Sequence, residues 1–336
     1  MENVSFGLSS ALAVFLSRKP DLVLMETWPL AASLLVLASC KLRGVPVLNY
    51  VKDLYPEAIR SAGLIDPRGS LYRSLLGLDR AACRAADRVI AISDDMARQI
   101  VETRELPAGR VEVIPDWINL AGIAPAPDEA RAWRRAQGVE ERQFVALFAG
   151  TVGHASGASV LAGVAEKLLG DPRISLICVG DGPLKADLEA EKRKRGLGNL
   201  MFLPFQPRES ISAMHSAADV CLLPTAAGMG ASSVPSKLIT YLASGRPVVA
   251  MANAGSDLAA MVEANSVGWV TSPGDVEAFA RAIEEAAALG RVKLDAMGAT
   301  ARVLAETKHS LDAAIARFDG LIERVRLERT GAAAHG

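Results

Sequence analysis

The sequence predicts an α/β protein built from two doubly wound domains. Short runs rich in Val, Ile and Leu alternate with amphipathic helical runs almost throughout the chain. Most of the short runs are continuously apolar, which is typical of parallel strands covered on both faces. The chain has 336 residues, 50% of them hydrophobic, which is enough for two domains with sizeable cores.

The bulk composition argues against several classes of protein. A net charge of −1 is unlike that of a dedicated nucleic-acid binder, which is usually basic. The 4 cysteines are scattered without a Cys-x-x-Cys pair, and no secretory leader stands out, so we expect reduced thiols in a cytoplasmic protein. The longest apolar run, Pro29–Cys40, is too short to span a bilayer and predicts a buried or half-buried helix.

The first domain is expected over residues 1–117. It opens with a helical pattern, Phe6–Leu16, and then alternates four strands with three longer helices. The expected strands are Asp21–Met25, Val45–Tyr50, Arg88–Ile92 and Arg110–Ile114, and the expected helices are Pro29–Leu42, Ser70–Ala85 and Ser93–Thr103. Because a doubly wound nucleotide-type sheet usually has about six strands, we expect this N-terminal domain to be truncated.

A linker is expected over residues 118–140, because Pro125, Pro127 and Gly122 crowd a stretch without a clear period. The second domain is expected over 141–327, with its last helix, Ser310–Arg326, free to cross back, and a disordered tail over 328–336. Its expected strands are Phe144–Ala149, Ile174–Val179, Leu200–Leu203, Val220–Leu223, Pro247–Ala250 and Gly268–Val270. The helices between them include Ala158–Leu169, Pro183–Arg195 and Asp275–Ala288.

The most informative stretch is Gly228–Val249, GMGASSVPSKLITYLASGRPVV. A glycine-rich loop leads to Pro235, which can open a helix, and Lys237 follows in the first turn. Such a loop aims backbone N–H groups and the positive end of a helix dipole at one point, where an anion fits. This pattern predicts a cradle for the diphosphate of a nucleotide-activated molecule.

Other strand ends of the second domain converge on the same edge of the predicted sheet. The first strand runs into a glycine turn, Gly150–Gly157, and the second ends in Gly180-Asp181-Gly182-Pro183. The third ends in Pro204-Phe205 and the fourth in Pro224-Thr225. Open α/β sheets bind ligands along the carboxyl ends of their strands, so the convergence is more specific than any single turn.

Two features of the first domain have competing interpretations. Asp53, in Lys52–Glu57 after a buried strand, could take or orient the proton of an acceptor hydroxyl, or it could cap the following short helix. Arg73, Arg80 and Arg84 project from one side of a predicted helix. They form either a contact with anionic membrane headgroups or a solvated face.

No metal site is expected. The four histidines lie far apart without ligand spacing, and no Asp-x-Asp pair follows a strand. His154 lies in the first glycine turn, where it could approach a phosphate or have a structural role.

Several segments together resemble family 4 glycosyltransferases, which are two-domain GT-B enzymes that use nucleotide sugars. Pro235–Val248 is similar to the donor-site helix of that family, and Gly180–Pro183 and Ala217–Pro224 are similar to its following segments. In the first domain, Asp53–Glu57, Ala86–Ser93 and Val113–Asn119 match it in order. The Asp-Leu-Tyr-Pro-Glu and Pro-Asp-Trp pieces resemble the bacterial branch that builds exopolysaccharide, capsule and O-antigen.

The resemblance implies a GT-B fold of two Rossmann-like domains facing a cleft. It implies a retaining transferase that moves a sugar from a nucleotide diphosphate, UDP in our reading, to a lipid-linked saccharide acceptor. No cofactor is implied, since the nucleotide sugar is a substrate. Asp53 and Lys237 would be the catalytic residues, with Lys237 stabilising the leaving diphosphate. The implied donor-binding residues are Gly150, Thr151, Gly153, Gly182, Pro204, Phe205, Ser232, Ser236, Lys237 and Thr240.

This chain departs from the family at several charged donor contacts. An acidic residue that holds the ribose is usual where this chain has Thr240, and another where it has Ser232. The family's frequent Arg and Lys after the first glycine turn fall near Thr151 and Ser156. A hydroxyl makes a weaker hydrogen bond than a carboxylate, so either backbone and hydroxyl groups replace these charged contacts in this branch or its activity is reduced.

Two alternatives to glycosyl transfer remain open at this point. One is a sugar-nucleotide epimerase on the same architecture, for which Asp53 is the one strong acid/base candidate. The other is a non-catalytic nucleotide-sugar or partner-binding protein, which the short first domain and the Thr240 substitution favour. The expected location is cytoplasmic, at the inner face of the plasma membrane if the basic row binds lipid.

Overall fold

A computed structural model of the protein describes residues 2–61, 64–154, 156–225 and 234–334. The chain forms two compact units. The first consists of Met1–Asp116 and Ala314–Gly336, and the second is Trp117–Ala313.

The first unit contains a parallel four-stranded sheet in the order β1-β2-β3-β4. Its strands are β1 (Val23–Glu26), β2 (Val47–Val51), β3 (Arg88–Ala91) and β4 (Val111–Val113). Five helices accompany them: α1 (Glu2–Leu16), α2 (Leu30–Leu42), α3 (Glu57–Ser61), α4 (Ser70–Ala85) and α5 (Asp94–Arg104). Every residue of β2 is buried, as the continuous apolar run predicts. The four predicted strands are confirmed to within two residues at every boundary.

The second unit contains a parallel six-stranded sheet in the order β10-β9-β8-β5-β6-β7. Its strands are β5 (Phe144–Ala149), β6 (Ile174–Val179), β7 (Leu200–Leu203), β8 (Val220–Leu223), β9 (Val248–Met251) and β10 (Gly268–Thr271). Its helices are α6 (Pro127–Ala136), α7 (Leu161–Lys167), α8 (Lys185–Arg195), α9 (Ile211–Ser216), α10 (Ser236–Ala243), α11 (Asp257–Ala264), α12 (Val276–Leu289) and α13 (Arg291–Lys308).

Both faces of this sheet are buried, because successive strand residues point to opposite sides. Val145 and Leu147 pack on one face with Tyr241 of α10, and Ala146 and Phe148 pack on the other with Phe279 of α12. This double coverage explains why the strands are continuously apolar and why all six were predictable.

The predicted linker is wrong in its middle, where α6 forms. Pro127 occupies the first turn, where its missing N–H is no loss, and acidic residues follow it there. Ala130 and Trp133 are 5% and 8% exposed and join the core of the second unit. The crowded prolines therefore mark a helix start rather than an unstructured connection.

The expected disordered tail is also wrong over residues 328–334, because α14 (Leu311–Ala334) continues through them. Arg329 donates to Asp87 at 2.7 Å, and Glu328 accepts from Arg88 at 2.6 Å. These two ion pairs attach the end of α14 to the first unit. The last two tail residues, 335 and 336, lie outside the described residues.

Candidate functional site

The sheet of the second unit opens between β5 and β8. The chain builds β5, β6 and β7 outward on one side of the sheet and then β8, β9 and β10 outward on the other. The strand order therefore reverses between β5 and β8. The β5–β6 pairing continues to Ala149 and Val179, whereas the β5–β8 pairing ends at Leu147 and Cys221. Ligands of open α/β sheets bind at such a reversal, beyond the carboxyl ends of the strands.

Two glycine turns lie at this opening and bond to each other. Gly150 follows β5 with φ 129°, and Gly180 follows β6 with φ 144°, conformations that L side chains rarely adopt. A Cβ on Gly180 would fall 1.9 Å from the Gly150 carbonyl oxygen. The Val152 N–H donates to the Asp181 carbonyl at 2.8 Å. The turns therefore stack closely, as the predicted convergence of strand ends requires.

Lys237 extends from the first turn of α10 across the Gly150 turn. A Cβ on Gly150 would lie 2.5 Å from the lysine Cε and 2.8 Å from its Nζ. The ammonium also lies 4.2 Å from the centroid of the Phe148 ring, a cation–π contact. Glycine at position 150 thus leaves the space that the lysine chain occupies.

The Lys237 ammonium is buried and, within the described residues, has no hydrogen-bond partner. Burial lowers the pKa of Lys237 to about 8, because an ammonium loses its hydration there, while the nearby Cys178 opposes the shift slightly. A buried, unpaired cation is costly unless an anion arrives. Such a group beside a ligand-binding opening is a functional-site candidate.

Backbone amides supply part of the expected anion cradle, but three of the predicted glycines already use their N–H groups, and the first of these, the Gly150 N–H, donates to the Val179 carbonyl at 2.9 Å. In the part of the chain that the structure describes, the Thr151 N–H has no acceptor. The Gly153 N–H, expected to approach the donor, instead donates to the Ser156 hydroxyl at 3.2 Å. The Gly182 N–H donates to the Asp181 carboxylate at 2.8 Å. At the α10 N-terminus, where Pro235 provides no side-chain cap, the Ser236 and Lys237 amides have no acceptor among the described residues and are further donors.

The other predicted donor residues are distributed around these turns. Pro204 and Phe205 follow β7, where the Pro204 carbonyl accepts from Gln206 at 3.0 Å and the Phe205 side chain is 60% exposed. Ser236 is exposed at the start of α10, and Thr240 donates to its carbonyl at 3.3 Å. His154 is exposed in the first turn. Ser232, with the glycine-rich loop before α10, lies outside the described residues.

Sequence reasoning missed Tyr241. Its hydroxyl accepts from the Ala149 N–H at 3.1 Å and donates to the Ala149 carbonyl at 3.2 Å. The spacing from Lys237 is the available signal, since residues i and i+4 share one face of a helix.

In the first unit, the segment after β2 presents an exposed carboxylate. Asp53 is exposed, and among the described residues it has no hydrogen-bond or ion-pair partner. The alternative that Asp53 caps the short helix α3 is therefore wrong. Lys52 pairs with Asp116 at 3.4 Å, and Tyr55 stacks on Trp28 with ring centroids 4.4 Å apart.

A buried arginine, Arg104, bonds to the segment that follows β2. The Arg104 side chain is 0% exposed and bonds Asp79 at 2.7 Å, the Tyr55 carbonyl at 2.7 Å and Glu57 at 2.9 Å. Burial raises the pKa of Asp79 although Arg104 opposes the shift, and the two carboxylates keep the pKa of Arg104 above its usual value. The cluster fixes the backbone on both sides of Pro56.

The basic row on α4 is partly neutralised. Arg80 pairs with Glu105 at 2.9 Å, and Arg84 pairs with the same carboxylate. Arg73 is exposed. One of the three positive charges is therefore offset within the first unit.

The described residues contain neither a metal-binding cluster nor a membrane-spanning helix. No group of three or more His, Cys, Asp and Glu side chains could hold a metal ion among the residues described, and metal-independence stays a prediction. All four cysteines are free and buried. Over the described ranges, no helix combines the length and apolar character needed to cross a bilayer.

Comparison with known proteins connects both units to one kind of enzyme. Residues 129–303, just over half of the chain, match the family described as "Glycosyl transferases group 1". Residues 3–117 match the "Glycosyl transferase 4-like domain". The chain is 28% identical over 290 residues to "Putative colanic acid biosynthesis glycosyl transferase WcaI" of Escherichia coli K12, covering 84% of this chain and 70% of that protein. It is 25% identical over 327 residues to "Probable glycosyltransferase WbjE" of Pseudomonas aeruginosa, covering 94% and 79%.

A solved structure shares the fold. The crystal structure of HepE from Anabaena in complex with UDP superposes with a TM-score of 0.74 at 16% identity, covering 98% of this chain and 82% of that one. The expected GT-B fold of two parallel-sheet α/β domains is confirmed, and the relatives favour glycosyl transfer over epimerisation or simple binding. The chain belongs to the group 1 glycosyl transferases and is a glycosyltransferase.

Proposed function

We propose that the second unit binds a UDP-sugar with its diphosphate between the Gly150 turn and the first turn of α10. The observation that carries this proposal is the buried Lys237 ammonium at the β5–β8 opening, which packs against Gly150 and has no hydrogen-bond partner in the part of the chain that the structure describes. A diphosphate supplies the negative charge that this lysine lacks among the described residues. The choice of UDP rests on the HepE complex, whose fold this chain shares.

In the reaction, Lys237 would act on the leaving group. Negative charge develops on the diphosphate as the bond to the sugar breaks, and a positioned cation in a dry site stabilises that charge. The Thr151 amide and the orphan amides of α10 would add hydrogen bonds to the same oxygens. Groups held in place by the fold before the reaction would need little reorganisation.

The ribose and base would be held by weaker groups than in the family pattern. Thr240 lies one turn along α10 from Ser236 and offers a hydroxyl in place of the usual carboxylate. Phe205, exposed after β7, offers an apolar surface for the base. We therefore expect Lys237 and the amides to supply most of the donor affinity.

We propose that Asp53 orients or deprotonates the acceptor hydroxyl. It is an exposed carboxylate at the end of a buried strand, without a partner among the described residues, so it is available to a ligand. The Arg104 cluster keeps its segment in one conformation. An Asp53→Asn variant should therefore lower turnover much more than donor affinity.

We propose a lipid-linked saccharide as the acceptor, in the assembly of a surface polysaccharide at the inner face of the plasma membrane. The colanic acid assignment of WcaI supports this acceptor class. Contact with anionic lipid would involve Arg73, Arg80 and Arg84 of α4, although Glu105 offsets one of their charges. Co-sedimentation with anionic vesicles tests the contact, and equal binding of the triple Arg→Glu variant would exclude it.

The donor proposal is tested by calorimetry with UDP on Lys237→Ala. We expect the Kd to rise about 10- to 100-fold, since a hydrogen bond to a charged group contributes about 1.5–3 kcal/mol. Lys194→Ala is the matched control: this lysine is 79% exposed near the end of α8, and helices that follow parallel strands end at the opposite edge of the sheet. Equal affinity of Lys237→Ala and wild type would refute the site.

The chemical outcome needs a second experiment. The wild-type protein is incubated with UDP- and GDP-sugars and a lipid-linked saccharide, and the anomeric configuration of the product is read by NMR. We propose that the configuration of the donor is retained, as the resemblance to family 4 implies. An inverted product would contradict retention and leave the donor site intact.

A further inference from the structure

Tyr241 occupies an unusual place in the sheet of the second unit. Ala149 is the last residue of β5. The next residue, Gly150, faces β6, where its N–H donates to the Val179 carbonyl at 2.9 Å. On the β8 side the ladder has already ended at Leu147. The Ala149 N–H and carbonyl would therefore lack a strand partner where the sheet opens. Ala149 is half-buried, and a backbone group that is shielded from water and has no partner is costly.

The Tyr241 hydroxyl satisfies both groups. It accepts from the Ala149 N–H at 3.1 Å and donates to the Ala149 carbonyl at 3.2 Å. A phenolic hydroxyl has one proton and two lone pairs, so it can do both at once. It thus replaces the missing strand for one residue while leaving the space beyond Ala149 open.

The rest of the Tyr241 side chain is fixed. The residue is 1% exposed, and its ring meets the edge of His215 with centroids 5.3 Å apart. His215 in turn lies 3.1 Å from the Ser244 hydroxyl, which donates to the Thr240 carbonyl at 2.9 Å. Because burial lowers the pKa of His215 to about 4, this ring stays neutral at physiological pH. The tyrosine is therefore a rigid link between α10 and the end of β5.

This link joins the two halves of the proposed diphosphate cradle. Lys237 lies one turn before Tyr241 on α10, and the Gly150 turn directly follows the residue that Tyr241 holds. The lysine Nζ lies over Phe148, the residue before Ala149. A shift of α10 along β5 would move the lysine away from the turn, so the distance between ammonium and amides depends on the tyrosine hydroxyl.

We propose that Tyr241 is a positioning residue of the donor site, whose hydroxyl clamps the end of β5 to α10 and sets Lys237 against the Gly150 turn. This role rests on the proposed diphosphate site. Tyr241 does not contact the diphosphate itself, because it is buried beneath Ala149. It acts through the two backbone hydrogen bonds.

The test is Tyr241→Phe, which removes the hydroxyl and keeps the ring. We expect its Kd for UDP to rise about tenfold, although no group that touches UDP has changed. We also expect the Ala149 amide to exchange with solvent at least about tenfold faster in the unliganded protein, because its acceptor is gone. The matched control is Ile283→Val, a buried change on α12 against the opposite face of the same sheet, which should leave both readouts within about twofold.

A third readout separates positioning from general loosening of the fold. The pKa of Lys237, followed by NMR of the labelled side chain, should rise towards its ordinary value in Tyr241→Phe as water reaches the ammonium, and should not move in Ile283→Val. An unchanged UDP affinity in Tyr241→Phe would overturn the positioning role even if the Ala149 amide exchanges faster. Failure of wild type and Lys237→Ala to differ in UDP binding would instead refute the donor site, and the positioning role with it.

Discussion

Binding of a UDP-sugar should draw a proton onto Lys237, and the affinity should fall as the pH rises through 8. In the unliganded protein, burial lowers the pKa of Lys237 to about 8. A bound diphosphate favours the ammonium and raises that pKa again. Between the two values the complex holds more protons than the free protein, so linkage requires affinity to decrease with increasing pH.

The size of the effect follows from the pKa of the free protein. At pH 8, half of the lysines are neutral, so binding should take up about half a proton; at pH 7 the uptake should be about a tenth. The Kd should rise about fourfold between pH 7 and pH 8.5, because it scales with one plus the ratio of neutral to charged lysine. A UDP-sugar is the better probe than UDP, because its diphosphate is esterified at both ends and does not titrate in this range.

Calorimetry in buffers with different ionisation enthalpies measures this uptake directly. The linked proton should disappear in Lys237→Ala and persist in Lys194→Ala, whose lysine is exposed. Tight binding at pH 8 without proton uptake would refute the reasoning, because it would mean that Lys237 is already fully charged or takes no part. Uptake that survives in Lys237→Ala would assign the proton to another group.

Two further predictions concern other residues. Thr240→Glu restores the acidic residue that the family usually has at this position. Calorimetry should show an affinity for UDP about tenfold higher, because a charged acceptor makes the stronger hydrogen bond to a ribose hydroxyl. An unchanged affinity would mean that the ribose does not reach α10. Arg104→Ala leaves two buried carboxylates without their cation and should lower the free energy of unfolding by about 3–5 kcal/mol in denaturant titrations. The matched change Arg98→Ala, at a 59% exposed arginine on the same helix, should change it by less than about 0.5 kcal/mol, and equal losses would show that the cluster contributes little.

Much of the fold was predictable because a parallel sheet covered on both faces leaves a strong local signal. The run Ile174–Val179 is buried at every residue, and its predicted and observed bounds agree. Helix α6 left a weaker signal, since only Ala130 and Trp133 contact the core and the preceding prolines suggest a linker. The end of α14 left almost none, because the partner of Arg329 is Asp87, 242 positions away in the chain.

In the candidate site, too, the residues with a local sequence signal were predictable and the others were not. Lys237 and Gly150 were predictable because their chemistry is local: a glycine after a strand, and a lysine in the first turn of a helix. The occupation of the Gly153 amide by Ser156 was not, because a hydroxyl can bond in many ways within a turn. Tyr241 was missed because apolar and aromatic residues on a buried helix face usually indicate packing alone.

The groups around the buried Lys237 ammonium suggest why no acidic side chain pairs with it among the described residues. An acidic side chain beside it would stabilise the unliganded protein, but that carboxylate would then compete with the diphosphate for the ammonium. Among the described residues the ammonium instead meets a Phe148 ring and a glycine turn, which compensate its charge only weakly. In the proposed site, binding of the anion would recover the free energy that burial of the ammonium costs. A diphosphate bound as we propose would therefore gain more from this lysine than from an exposed one, and the proposed clamp of Tyr241 on Ala149 would keep the lysine beside the Gly150 turn until the anion binds.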